Sequence, residues 1–222
     1  MTDKVKKETE KLIKKLGLDC QINQFQNKVN WIEISFDQKL SEDFIKEFQD
    51  KISWDCVSKY QKLSEDFIRE FQDKVSWYHI SEYQTFSEDF IKEFKNKVNW
   101  HVISFSQKLS EDFIREFQNK IYWDHISCSQ KLSENFIREF QDKGYWTLFS
   151  QCQTLSESFI REFQDKVNWY HISQYQTFSE DFIREFKNKL DLNYLLETKK
   201  ISQDFYDFLI NERITRFELM DI

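Results

Sequence analysis

His79, His125 and His171 stand 46 residues apart, with His101 one place out of register between the first two. Imidazoles at regular spacing suggest a metal site or a proton relay. The distances decide against a shared site. Forty-six residues are two copies of a 23-residue repeat, roughly 20 Å apart at the spacing of packed helices, while ligands of one zinc ion each lie ~2 Å from it. Cys20, Cys56, Cys128 and Cys152 occur in only some copies. A disulfide framework or zinc array in a repeat protein would itself repeat, so the reading is of reduced thiols in an intracellular protein.

Paired acids such as Glu42 and Asp43 recur in copy after copy, whereas catalytic carboxylates form one unique constellation in a cleft. Their place is the first turn of a helix, where the dipole favours negative charge. Lys46, Arg69, Lys92, Arg115, Arg138, Arg161 and Arg184 each stand beside a Glu and read as a solvated, locally neutral helix face. With two glycines and no proline, no Gly-rich phosphate cradle is present. The expectation is a chain without catalytic residues, metal ligands or cofactor, and not an enzyme. A net charge of −7 without a basic stripe argues against nucleic acid as a main partner.

The elements that carry these residues follow from one beat. Trp31, Trp54, Trp77, Trp100, Trp123, Trp146 and Trp169 are spaced by 23, and Ser41, Glu42, Phe44, Glu47, Phe48 and Lys51 return at Ser64, Glu65, Phe67, Glu70, Phe71 and Lys74. A repeat this short cannot bury its own apolar face and must stack on its neighbours. In the first half, Ser41 reads as an N-cap and Leu40 as a staple to Ile45. Phe44, Ile45, Phe48 and Ile52 form one stripe, with Glu47 and Lys51 as an i,i+4 pair, which predicts a helix of roughly three turns. In the second half the fixed positions are Trp54, Val57, Ser58 and Gln61, the i, i+3, i+4, i+7 pattern of one helical face. Ser58 and Gln61 are predicted to pack inward and bond backbone groups at the turns. Ser53, Asn99 and Asn168 stand where a second N-cap is needed. One continuous helix is excluded, because 23 residues at ~100° each leave a remainder of about 140° and the Trp row would wander.

The prediction is therefore all-α: an α-solenoid of stacked 23-residue helix-turn-helix repeats with terminal capping helices. Residues 1–30 read as a capping helix, stopped by Gly17, and a worn first repeat. Residues 31–190 read as tandem repeats, and 191–222 as a degenerate last repeat with a C-terminal cap, all one continuous domain. Gly144, where other copies have Val or Ile, predicts a local bend.

Segment 63–75, Leu-Ser-Glu-Asp-Phe-Ile-Arg-Glu-Phe-Gln-Asp-Lys-Val, followed by Trp77, Ile80, Ser81, Tyr83 and Gln84, resembles short tandem repeats in proteins of giant DNA viruses of the mimivirus kind. The resemblance spans about residues 18–205. It implies a viral origin and brings no activity, ligand or catalytic residue with it.

The copies diverge most at the first, second, fifth and sixth residues after each Trp, on the outer face of the second helix. Tyr60, Tyr78, His79, Tyr83, His101, Phe105, His125, Tyr170, His171 and Tyr175 stand there and are expected to be exposed. Aromatic and His side chains combine contact area with hydrogen bonding, so this ridge is the candidate surface for a protein partner. The alternatives are self-association as a structural component, and single-strand nucleic-acid binding, against which the charge argues. The Trp and Phe rows read as core rather than as stacking platforms. No apolar run approaches the ~18 residues of a membrane span, and the first residues lack the apolar core of a signal peptide, so the expected place is the cytoplasm.

Overall fold

The computed structural model describes residues 1–218; the last four residues of the expected C-terminal cap lie outside them. Among the described residues there are helices and no strand. The chain divides into two compact units, Met1–Gln107 and Lys108–Ile222. The first holds α1 (Asp3–Lys15), α2 (Ile22–Lys28), α3 (Trp31–Asp37), α4 (Glu42–Glu47), α5 (Trp54–Tyr60), α6 (Glu65–Glu70), α7 (Trp77–Tyr83), α8 (Glu88–Glu93) and α9 (Trp100–Ser106). The second holds α10 (Glu111–Glu116), α11 (Trp123–Ser129), α12 (Glu134–Glu139), α13 (Trp146–Cys152), α14 (Glu157–Glu162), α15 (Trp169–Tyr175), α16 (Glu180–Glu185), α17 (Leu192–Glu197) and α18 (Gln203–Glu218). Within each unit the second helices pack in series, α3 on α5, α5 on α7 and α7 on α9, then α11 on α13 and α13 on α15. This is α-solenoid packing with a 23-residue period, as the repeat requires.

The first helix of each copy is shorter than the apolar stripe suggests. α4 ends at Phe48, whose backbone leaves the helical region (φ −109°, ψ 27°), and the Phe48 carbonyl accepts from both Lys51 N–H (2.9 Å) and Ile52 N–H (3.2 Å). Phe44, Ile45, Phe48 and Ile52 all remain buried, but two reversals must fit into each copy, so the third turn becomes a tight turn toward Trp54. Lys51 therefore lies past the helix, and the expected Glu47–Lys51 pair gives way to bonds elsewhere. Glu47 meets the Met1 amino group at 3.0 Å, and Lys74, the counterpart of Lys51, reaches back to Asp50 at 3.2 Å.

The caps are largely those the sequence predicts. Ser41 Oγ accepts from Phe44 N–H at 3.1 Å, and Asn99 and Asn168 accept from the N–H three residues on, both at 3.2 Å. Gly17 ends α1 in the left-handed region (φ +62°), with Leu18 N–H donating to Ile13 O at 3.0 Å. At Gly144 the turn keeps its usual bond, Gly144 N–H to Phe140 O at 3.1 Å, as at Val75 with Phe71, and α13 keeps its seven residues. In place of the expected bend, the change is absorbed by side-chain packing.

The tryptophans are half-buried rather than fully core. Trp54 lies against Phe67 and Phe71 of the next copy, ring centroids 6.3 and 5.2 Å apart, and its indole N–H donates to Gln49 O at 2.9 Å. The Lys74 ammonium lies over the half-buried indole, 5.9 Å from the ring centroid.

Candidate functional site

Whatever the second helices present to solvent, their inner faces are tied down by Ser and Gln. Ser58 Oγ donates to Trp54 O (2.6 Å) and accepts from Ser76 N–H (2.9 Å). Gln61 works backward along the stack: its amide donates to Ser35 O (3.0 Å) and Gln38 O (2.8 Å), and its carbonyl accepts from Leu40 N–H (2.9 Å). Gln84 and, in the second unit, Gln153 repeat the pattern. Both residues are buried, and the Gln61 bonds to Leu40 N–H and Ser35 O are made away from competing water. The first helices are chained as well. Glu42 accepts from Ser64 N–H at 2.5 Å, Glu65 from Ser87 at 2.6 Å and Glu134 from Ser156 at 2.6 Å, each capping the following copy. Glu8 of α1 plays this part for Ser41 at 2.9 Å.

The cation row is spoken for. Arg69 Nε meets Glu93 at 2.8 Å, its Nη1 meets Asp66 at 2.9 Å, and its guanidinium lies 5.1 Å from the Phe90 ring. The bond to Glu93, above all, raises the Arg69 pKa, as Glu139 does for Arg115 and Glu185 for Arg161. Lys46 likewise pairs with Glu70.

The ridge carries exposed rings at one or two of the first, fifth and sixth positions after Trp31, Trp54, Trp77, Trp100 and Trp169, and none at these positions after Trp123 and Trp146. In the first unit Tyr78 is 52% exposed and Phe105 62%, with Tyr60, Tyr83 and His101 also in solvent; in the second, Tyr170 is 58% exposed, with Tyr175 beside it. Ile32 and Phe36 belong to the same row and are exposed. The sequence reading passed over them because they sit in the first Trp-bearing copy, although Trp31 already set their register.

The second position differs from expectation. His79, His125 and His171 are half-buried and Val102 is buried. Neighbouring rings cover two of them: Tyr78 and Tyr83 stand 5.4 and 6.2 Å from His79, and Tyr170 and Tyr175 stand 5.4 and 5.9 Å from His171. The Nδ1 atoms of His79 and His171 are buried without a hydrogen-bond partner.

Ridge residues also meet one another along a seam, the fifth position of one copy against the sixth of the next. Phe36 packs edge-on to Tyr60 at 4.6 Å, and the Lys59 ammonium lies 5.0 Å from the Tyr60 ring and 5.3 Å from the Tyr83 ring. Hydrogen bonding to Tyr60, foremost, raises the Lys59 pKa. At the same seam in the second unit Cys128 and Cys152 form a disulfide, Cα atoms 5.0 Å apart, while Cys20 and Cys56 are free. The reading of four reduced thiols is thus corrected for this pair. The argument that a disulfide should recur in every copy fails because the seam is the part of the repeat that varies, and each pair of copies fills it differently.

Among the described residues no three His, Cys, Asp or Glu side chains gather as a metal site, and no helix is long and apolar enough to cross a membrane. Comparison with protein-family models, with curated proteins and with solved structures finds no match.

Proposed function

We propose that this chain is a non-enzymatic protein-interaction scaffold whose recognition surface is the outer row of its second helices. The observation that carries the reading is the exposure of Tyr60, Tyr78, Tyr83, Phe105, Tyr170 and Tyr175, each close to half or more in solvent, on helices whose inner faces are bonded at every turn. Large rings held in water on a rigid frame favour burial against a partner, and little ordering entropy is lost when they dock. Extended by the resemblance of its repeat, the reading has a viral protein acting in the cytoplasm of its host.

The test is a nuclease-treated pull-down from cell extract with the purified chain as bait, beside a variant carrying Tyr78→Ser, Tyr83→Ser, Tyr170→Ser and Tyr175→Ser. A specific protein retained by the native chain and lost by the variant, with unchanged far-UV circular dichroism, supports the scaffold. Undiminished capture by the variant overturns the assigned surface. If neither bait retains anything and light scattering shows size rising with concentration, self-assembly replaces the proposal.

A further inference from the structure

We propose that the Cys128–Cys152 bond is a redox-operated staple between α11 and α13, opened by small-molecule thiols through attack at the Cys128 sulfur. Three observations meet at this place. The seam brings second helices together whether or not a covalent bond is there, as Phe36 with Tyr60 and Lys59 with Tyr83 show in the other unit. Reduction therefore leaves the two thiols facing one another, poised to close again. The stapled helices start behind Tyr122 and Tyr145, which offer no side-chain cap, as Ser76 offers none to α7, whereas Ser53, Asn99 and Asn168 cap α5, α9 and α15; in α11 the Asp124 carboxylate accepts from His125 N–H at 2.8 Å instead. A helix whose N-cap side chain makes no bond opens more readily at its first turn, so a staple between α11 and α13 has opening to restrain. Finally, Cys128 is exposed and Cys152 only half-exposed, which decides the sulfur that an incoming thiolate reaches.

The chemistry is thiol–disulfide exchange with a small-molecule thiol such as glutathione. Its thiolate attacks Cys128 Sγ, the protein S–S bond breaks, and Cys152 leaves as a thiolate. A second thiolate attacks the small-molecule sulfur of the mixed disulfide and frees Cys128. The protein gains two electrons and two protons, and the small thiol is oxidised to its disulfide; that disulfide drives the reverse.

Hydrogen-exchange mass spectrometry on the full chain, oxidised and then reduced with a phosphine, tests the staple. Closing a loop between residues 24 apart restrains local opening on the order of a hundredfold in the chain-entropy account. Amides of α11 and α13 are expected to exchange faster by about that factor after reduction, while those of α5 and α7 hold still. A Cys128→Ser, Cys152→Ser variant should match the reduced chain and ignore the phosphine. Equal protection of α11 and α13 in both redox states overturns the proposal, as does alkylation of all four cysteines in a chain first treated with oxidised glutathione. When reduced glutathione is added to the oxidised chain and the reaction quenched early, the adduct should map to Cys128; an adduct on Cys152 overturns the assigned point of attack.

Discussion

A Cβ placed on Gly144 would fall 2.0 Å from Cζ of Phe149. In four other copies the equivalent residues are a buried β-branched one and a buried Ile, as at Val75 and Ile80. In this copy the larger ring at 149, fully buried, occupies the space that the missing side chain at 144 leaves.

The exchange predicts a double-mutant cycle. Gly144→Val alone overpacks the site and is expected to cost about 2 kcal/mol or more. Phe149→Ile alone leaves a void and costs about 1–3 kcal/mol. The pair together restores the common arrangement and should fold with close to native stability, so the coupling is strongly favourable. Urea melts of the four proteins check this; additive losses would show that ring and glycine are unrelated.

Gln84 is the second test, because its two ends do different work. The carbonyl accepts from Leu63 N–H at 3.2 Å and the amide donates to Gln61 O at 2.7 Å and Ser58 O at 3.3 Å. Gln84→Ala leaves these groups unpaired in a buried place and is expected to lose roughly 2–3 kcal/mol. Gln84→Glu keeps the acceptor but sets a carboxylate against two carbonyls, so its stability should fall further as pH rises past the carboxylate range. Denaturant midpoints at two pH values separate the cases.

Acid should loosen the copy-to-copy caps in a defined direction. Partial burial works against the Glu157 carboxylate, but the Ser179 N–H and hydroxyl and the Arg161 guanidinium outweigh it and hold the pKa below the ordinary 4.5. A depressed folded-state pKa means that the contribution is present in full above the unfolded value and is lost as pH falls through the folded one. The α14–α16 region is thus expected to lose protection below about pH 4.5. Glu157→Gln, which retains an acceptor for Ser179, should flatten that share of the pH dependence in exchange measurements.

Lys200 carries the fourth prediction. Its ammonium donates to Ser173 O (3.0 Å), Gln174 O (2.6 Å) and Gln176 O (3.1 Å), closing the end of α15 where earlier copies use a glutamine amide. Lys200→Ala should cost about 1 kcal/mol, seen as faster exchange in α15 and α17 with the first compact unit untouched.

What was legible in the sequence was what every copy must do alike. Ser58 and Gln61 keep their identity because their partners are backbone groups that recur in each copy, and those bonds are found. The first helix was overread because its stripe, through Ile52, is the same for a third helical turn as for a tight turn that keeps Ile52 buried. The half-burial of His79 depends on the rotamers of Tyr78 and Tyr83, and the Cys128–Cys152 bond on how two copies are offset; no periodicity within one copy encodes either.

The chain of Glu-to-Ser caps has a genetic consequence. Glu42 serves Ser64, Glu65 serves Ser87 and Glu8 of the opening helix serves Ser41, so these junctions present the same acceptor to the same donor. Deleting or duplicating a whole block of 23 residues among them joins ends that already match in this bond, with no orphaned Ser N–H at the splice. Copy number in such a gene can then change by unequal recombination without loss of this cap, and segments 74–100 and 166–192, nearly the same text four copies apart, read as a trace of that process.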